Sequence, residues 1–231
     1  MSVAEKMTAI NDAIRGKTGK TEELSLDEMA TEINEISTGE RDINPEWTDW
    51  SYFCQSRESL AAKLKYGDTS NGTNFSNMFR DCKELTSIPA LDTSNGTSFS
   101  NMFGHCSALT TIPALDTSKG TSFSYMFYEC RKLTTIPQLN LTKSTSSSAL
   151  NGTFSRCIAL VDLNIVGTIN ATGLNVQNSP LSHDSLMSII NALADKTSAS
   201  GTWKVTLGST NLAKLTADEI AIAEGKGWTL A

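Results

Sequence analysis

Five cysteines, two histidines, a Gly-Lys-Thr triplet and a row of evenly spaced aspartates are the groups in this 231-residue chain with the widest chemical range. Their spacing decides what they can do. Cys54, Cys82, Cys106, Cys130 and Cys157 contain no C-x-x-C pair, and a zinc site needs close pairs with further ligands. The last four fall at the same place in successive sequence copies, which predicts a buried ladder of small, reduced, apolar side chains. His105 fills a slot that is Asp81 in the copy before and Glu129 in the copy after, a solvent-facing position, and His183 lies in an unlike context. Arg15-Gly16-Lys17-Thr18 ends like a phosphate-binding loop, but Asn11 stands where the first glycine belongs and the stretch follows a helical pattern instead of a strand. Asp68, Asp92 and Asp116 recur every 24 residues and could line up for cations, yet Asp before Thr-Ser is an ordinary turn residue that bonds its own backbone. No HExxH, GxSxG or calcium-loop pattern occurs. Cleavage of a cell-wall polymer would require two carboxylates about 5 to 9.5 Å apart, and no pair stands out. The expectation is a protein with no catalysis, no metal and no cofactor.

What positions these residues is a repeat. From Asn71 to Leu139 one sentence is written nearly three times: NGTNFSNMFRDCKELTSIPALDTS, NGTSFSNMFGHCSALTTIPALDTS and KGTSFSYMFYECRKLTTIPQLNLT. Phe79, Phe103 and Phe127 lie 24 residues apart, as do Pro89, Pro113 and Pro137. A fixed period of that size is the mark of a solenoid. Phe75, Met78, Phe79, Cys82 and Leu85 follow the spacing of one face of a short helix or of tight helical turns. Leu85, Ile88 and Leu91 then cross a Thr-rich run ending near Pro89, which predicts a short strand. Asn95-Gly96 reads as a tight turn of positive φ. The predicted fold is therefore an α/β solenoid of about five leucine-rich-repeat-like coils, each a short helix plus a short parallel strand, stacked into one continuous core. Tyr52-Phe53 opens a degenerate first coil, its Phe-to-Phe step stretched to 26, and Phe154 belongs to a last coil after a step of 27.

Comparing the copies shows which slots vary while the apolar set stays constant. Arg80-Asp81, Gly104-His105 and Tyr128-Glu129 follow the Met-Phe pair; Tyr125 replaces asparagine before it, and Arg131 follows the third cysteine. Free variation is what any solvated face shows, and it is also what a recognition surface needs. The candidate binding residues are Arg80, Asp81, His105, Tyr125, Tyr128, Glu129 and Arg131, with the Thr pairs at 86/87, 110/111 and 134/135 (Ser at 87) as a second polar face.

The flanks divide the chain further. Residues 1–37 read as a helical hairpin: Val3, Met7, Ile10 and Ile14 mark one narrow stripe, and a Ser25/Glu28 capping box opens a second helix. Such narrow apolar faces fit oligomerisation, a trimer in first place, or attachment to another protein; a cap folded back on the solenoid is the alternative. A linker over 38–49, the solenoid over 50–180 and a C-terminal cap over 181–231 complete the division. The aromatics between Trp47 and Phe53 read as a cover for the open end of the core. In the cap, Ser182 opens a helix from about His183 to Asp195, and strand, helix, strand around the Thr216/Glu219 capping box predicts a βαβ-like closure whose strands extend the solenoid's sheet. The net charge of −6 and the lack of a Lys/Arg cluster argue against nucleic acid. No apolar run is long enough for membrane insertion, and the N-terminal stretch has no signal-peptide pattern, which leads to the expectation of synthesis in a cytoplasm.

The pattern MFxxCxxLTxIPxLDTS, over roughly Trp50 to Val166, resembles the BspA-like leucine-rich repeats of bacterial surface proteins and of tail proteins of phages infecting Gram-positive bacteria. Thr8 to Ile36 is similar to the leader of tail and baseplate proteins of such phages and prophages, and Asn191 to Ala231 to their closing segment. The resemblance implies a virion tail protein made in the bacterial host cytoplasm. It would bind a host cell-surface glycan or protein through the solenoid face and other tail or baseplate proteins through residues 1–37. The alternatives are a structural or decorating particle protein, or a bacterial surface repeat protein, that binds no host receptor.

Overall fold

The computed structural model describes residues 48–56 and 68–231. The expected hairpin over 1–37 and linker residues 38–47 lie outside the described residues. So do Trp47 and the second half of the expected first coil.

In the turn segments at 50–56, 75–82, 99–106 and 123–130 the backbone follows one rule. Alternate amides donate to carbonyls of the next coil: Phe75 to Ser98, Asn77 to Ser100, Phe79 to Met102 and Asp81 to Gly104, all at 2.8–2.9 Å. The amides between them close tight turns within the coil, Met78 to Phe75, Arg80 to Asn77 and Cys82 to Phe79. The same four-donor pattern links Phe99, Asn101, Phe103 and His105 to Ser122, Ser124, Met126 and Tyr128. Of the two forms expected for this segment, a short helix or tight turns, it is therefore the run of turns. A helix would leave only the amides of its first turn free, whereas here alternate amides along the whole segment join the neighbouring coil. The apolar spacing of three and four suits both forms, because back-to-back turns also return side chains to one face. Asn77, Asp81, Asn101, His105, Tyr125 and Glu129 take positive φ, between 55° and 65°, to make the turns fit.

The bonds also set the register of the first described coil. Cys54 donates to Met78, as Phe79 does to Met102, so Cys54 occupies the Phe79 slot and Phe53 the Met78 slot. The step into the repeats is 25, not the 26 suggested by pairing Phe53 with Phe79; backbone bonding, not side-chain likeness, sets it. Trp50 falls in the Phe75 slot, is 1% exposed and meets Phe53 edge-on.

Identical side chains consequently stack. Phe75, Phe99 and Phe123 form one column with ring centroids 5.7 and 5.5 Å apart, and Phe79, Phe103, Phe127 and Phe154 another at 5.4–6.0 Å, all near parallel and fully buried. Each such pair adds about 0.5–1.5 kcal/mol beyond the burial of its area. Gly72, Gly96 and Gly120 do not have the positive φ expected of the Asn-Gly turn. They are glycines because a Cβ at each would run into the ring of Phe75, Phe99 or Phe123. Buried Thr69, Thr93 and Thr117 donate across to the carbonyls of Asp92, Asp116 and Asn140, and Thr73, Thr97 and Thr121 form a matching hydroxyl ladder to the coil before.

The Thr-rich runs lie side by side. Thr110 donates to Thr86 and Thr134 to Thr110, but continuous pairing develops only at the end, where β1 (Thr135–Asn140) runs parallel to β2 (Asp162–Val166). The register slips between Ile136 and Leu139, around Pro137, which has no amide to donate. The outer edge of β2 is then closed by a helix, α1 (His183–Ala192), capped by the Ser182 side chain. Ser185 Oγ accepts from Leu163 and donates to Val161, and Ser188 Oγ accepts from Ile165 and donates to Leu163. The hydroxyls stand in for a next strand, which blunts the edge.

β3 (Trp203–Val205), α2 (Ser209–Leu212), α3 (Ala217–Gly225) and β4 (Trp228–Leu230) follow, with β3 parallel to β4. The Thr216 capping box is formed in full. These strands make their own two-stranded sheet and do not extend β1 and β2; an isolated bridge joins Asn175 to Thr206. Asn211, 1% exposed, donates to the carbonyls of Val176, Ser179 and Leu207, and Trp228 Nε1 to Ala194.

Two substitutions separate stacking from turn propensity. Phe103→Ala is expected to cost about 3–5 kcal/mol in urea unfolding. Gly96→Ala, which would stabilise an ordinary negative-φ position, is expected to cost about 1–3 kcal/mol because the Phe99 ring must move.

Candidate functional site

The left-handed positions form two columns. Tyr52, Asn77, Asn101, Tyr125 and Gly152 share one, and Ser56, Asp81, His105, Glu129 and Arg156 the other, each residue at φ between 55° and 65°. Asparagine, aspartate and glycine enter this region readily, whereas other L-residues pay about 1–2 kcal/mol. The third and fourth copies nonetheless put tyrosine, glutamate and arginine there.

These residues converge on Glu129. Its Oε2 lies 3.0 Å from Arg131 Nη2 and 3.8 Å from His105 Nδ1, and its Oε1 lies 2.6 Å from Arg156 Nη1. The Tyr128 ring stands edge-on to His105 at 5.0 Å and to Tyr125 at 5.7 Å. Tyr125 rests on Gly152, where a Cβ would come within 2.5 Å of Cδ1 and Cε1, so the glycine is what lets the ring lie down. Tyr125 is 45% exposed, and the Arg131 and Arg156 side chains 51% and 59%. Burial alone would raise the Glu129 carboxyl, but the hydrogen bonds and charges of Arg131, with Tyr128 and Arg156, carry it below the usual value. It is an ionised, occupied carboxylate, and it is unsuited to proton transfer.

Of the seven residues singled out from the sequence, five are thus gathered: His105, Tyr125, Tyr128, Glu129 and Arg131. Arg80 and Asp81 stay outside, paired with each other at 3.4 Å. Arg156 was missed. It directly precedes Cys157 as Glu129 precedes Cys130, but the longer step into that coil hides the match. The Thr110 and Thr134 hydroxyls are committed to the preceding coil's carbonyls, which leaves the second polar face less to offer a ligand.

The remaining reactive groups are otherwise engaged. Cys82, Cys106, Cys130 and Cys157 each donate Sγ–H to a carbonyl of the coil before at 2.9–3.1 Å. Burial pushes the Cys157 thiol up to about 12 and raises Cys54 and Cys130 well above normal. Asp68, Asp92 and Asp116 accept the amides of Ser70, Ser94 and Ser118; the serine hydroxyls together with these amides lower the carboxyls of Asp92 and Asp116, and the amide before the hydroxyl that of Asp68. Among the described residues no group of three or more His, Cys, Asp or Glu could hold a metal ion, and no helix is long and apolar enough to cross a membrane.

A family model described as "Mycoplasma protein of unknown function, DUF285" matches residues 48–160, slightly less than half of the chain. No curated protein and no solved structure matches.

The Glu129 cluster makes a pH-dependent contribution of known sign. A carboxyl lowered on folding stabilises above its unfolded pKa, and that contribution is lost as pH falls through the folded value. Glu129→Gln should therefore unfold at lower urea than the parent near pH 7, with the gap closing toward about pH 3. An equal gap at both pH values would deny the ionic role.

Proposed function

We propose that the chain is a leucine-rich-repeat-type solenoid that works by non-covalent recognition, as an adhesion protein of a phage tail engaging a host cell-surface component. The observation that carries the reading is the Glu129 cluster. Side chains of unlike chemistry, His105, Tyr125, Glu129 and Arg156, are held at left-handed backbone positions, where glycine, asparagine or aspartate would cost less, and Tyr125 and Arg156 remain about half exposed. Such placement suits a surface selected for contact. The matched repeat family, one associated with BspA-like repeat proteins, supports the repeat class; its description assigns no function. Resemblance over residues 8–36 and 191–231 supports the tail origin. In this reading residues 1–37 carry assembly with other tail or baseplate proteins and with further copies of the chain, and residues 181–231 close the stack.

A structural role on the particle, without receptor binding, is favoured by a different observation: Ile158 and Val161 are 58% and 40% exposed, apolar surface suited to another protein.

The test is saturable binding of fluorescently labelled full chain to a panel of intact Gram-positive cells. The adhesion reading expects a subset of strains to bind, and binding to drop at least about tenfold when Tyr125, Tyr128 and Arg131 are all replaced by alanine. No binding to any strain, together with firm association with another particle protein, would transfer the function to the structural role.

A further inference from the structure

The Glu129 cluster presents two guanidinium groups in an unusual way. Arg131 and Arg156 come from different coils, yet each is tied to one oxygen of the same carboxylate. One negative charge holds two positive ones side by side, leaving a local excess of positive charge in a chain whose net charge is −6. A single carboxylate bond occupies one edge of each group, and a guanidinium carries five N–H donors. With half or more of each side chain exposed, donors remain for a ligand. Lys132, also exposed, follows directly.

Beside the pair lies an aromatic platform. Tyr125 is seated against Gly152 and braced edge-on by Tyr128, which is braced in turn by His105, whose Nδ1 lies 3.8 Å from Glu129. The ring is thus connected to the guanidinium pair through a fixed series of contacts. An exposed, immobilised ring offers a surface for the C–H face of a sugar, and paired guanidinium groups are suited to the planar or tetrahedral oxygens of a carboxylate or phosphate.

We infer that Arg131 and Arg156, clamped by Glu129 beside the Tyr125 ring, form a binding site for an acidic glycan, a sugar or polyol polymer carrying phosphate or carboxylate groups. This rests on the recognition reading above and names the ligand class for it. Arg131 and Arg156 supply the anion contacts, Tyr125 the stacking surface, and Glu129 positions both cations without touching the ligand. Because the ionic contacts are exposed, binding weakens as salt rises.

The experiment titrates the full chain with polyglycerol phosphate, polygalacturonate, neutral dextran and polyglutamate, with intact-cell binding run in parallel. The first two probes separate phosphate from carboxylate as the recognised group. Binding to either, without dextran binding, is expected to fall about tenfold or more in Arg131→Ala and in Arg156→Gly, the second of which also relieves the left-handed backbone. It should fall again in Tyr125→Ala and remain unchanged in Lys204→Ala on β3. Polyglutamate binding as tight as the glycans, or an equal loss in Lys204→Ala, would reduce the effect to bulk charge and overturn the site. Cell binding that survives loss of both arginines would overturn the site while leaving adhesion intact. Glycan binding without cell binding would uphold the site and remove the adhesion reading.

Discussion

Everything described here depends on the division of labour among backbone amides in the turn segment. Half of them close turns inside a coil and half reach the next coil, so no coil is complete without its neighbour. The constraint accounts for features that look independent. Coils joined amide to carbonyl must advance by a constant rise, which puts like residues over like and favours aromatic columns at 5.4–6.0 Å. The rings need room beneath them, hence glycine three residues before Phe75, Phe99 and Phe123. Turn closure demands left-handed residues at two slots per coil, and the variable residues Tyr125, Glu129 and Arg156 occupy them in the third and fourth copies.

Open ends are the cost of this architecture, since unsatisfied donors and acceptors would face water or another strand. At β2 the solution is chemical: Ser185 and Ser188 on α1 supply hydroxyls that both donate and accept, replacing a missing strand. Lys226 then covers the carbonyls of Ile190 and Asn191 near the far end of the same helix. The C-terminal unit shares the apolar core of the stack through Leu186, Leu207 and Trp228, and buried Asn211 adds polar contacts to the carbonyls of Val176 and Ser179.

Much of this was legible in the residues, and the gaps have physical causes. The 24-residue period is plain because side chains in contact along a column are chemically the same. The Ser182 cap and the Thr216–Glu219 box are local, so short motifs reveal them. Helix and turn run could not be told apart, since both return apolar residues at intervals of three and four; only the destination of each amide distinguishes them. Gly96 carried the ordinary meaning of Asn-Gly, whereas its reason lies in the Phe99 ring, a contact that turn statistics do not report. Phe53 was aligned by likeness when bonding places Cys54 there. Within the candidate site five residues were visible as variation among clear copies, and Arg156 was hidden by a longer step. The bridge from α1 to β2 had no sequence signature, because two serines inside a helix, Ser185 and Ser188, carry no local mark of pairing with a strand edge.

The proposed function follows from the same geometry: a stack rigid enough to hold costly side chains in place gives a surface on which Tyr125 and the two arginines are already arranged before a ligand arrives. The claim under all of it is that amides of the turn segment bond forward to the next coil. Scalar couplings across hydrogen bonds, measured by NMR on isotope-labelled protein, test it directly. The Phe79 amide should couple to the Met102 carbonyl, and the Phe103 amide to that of Met126. Coupling of Phe79 to the Phe75 carbonyl instead would mean a helix closed on itself, and the stacked-coil account would be wrong.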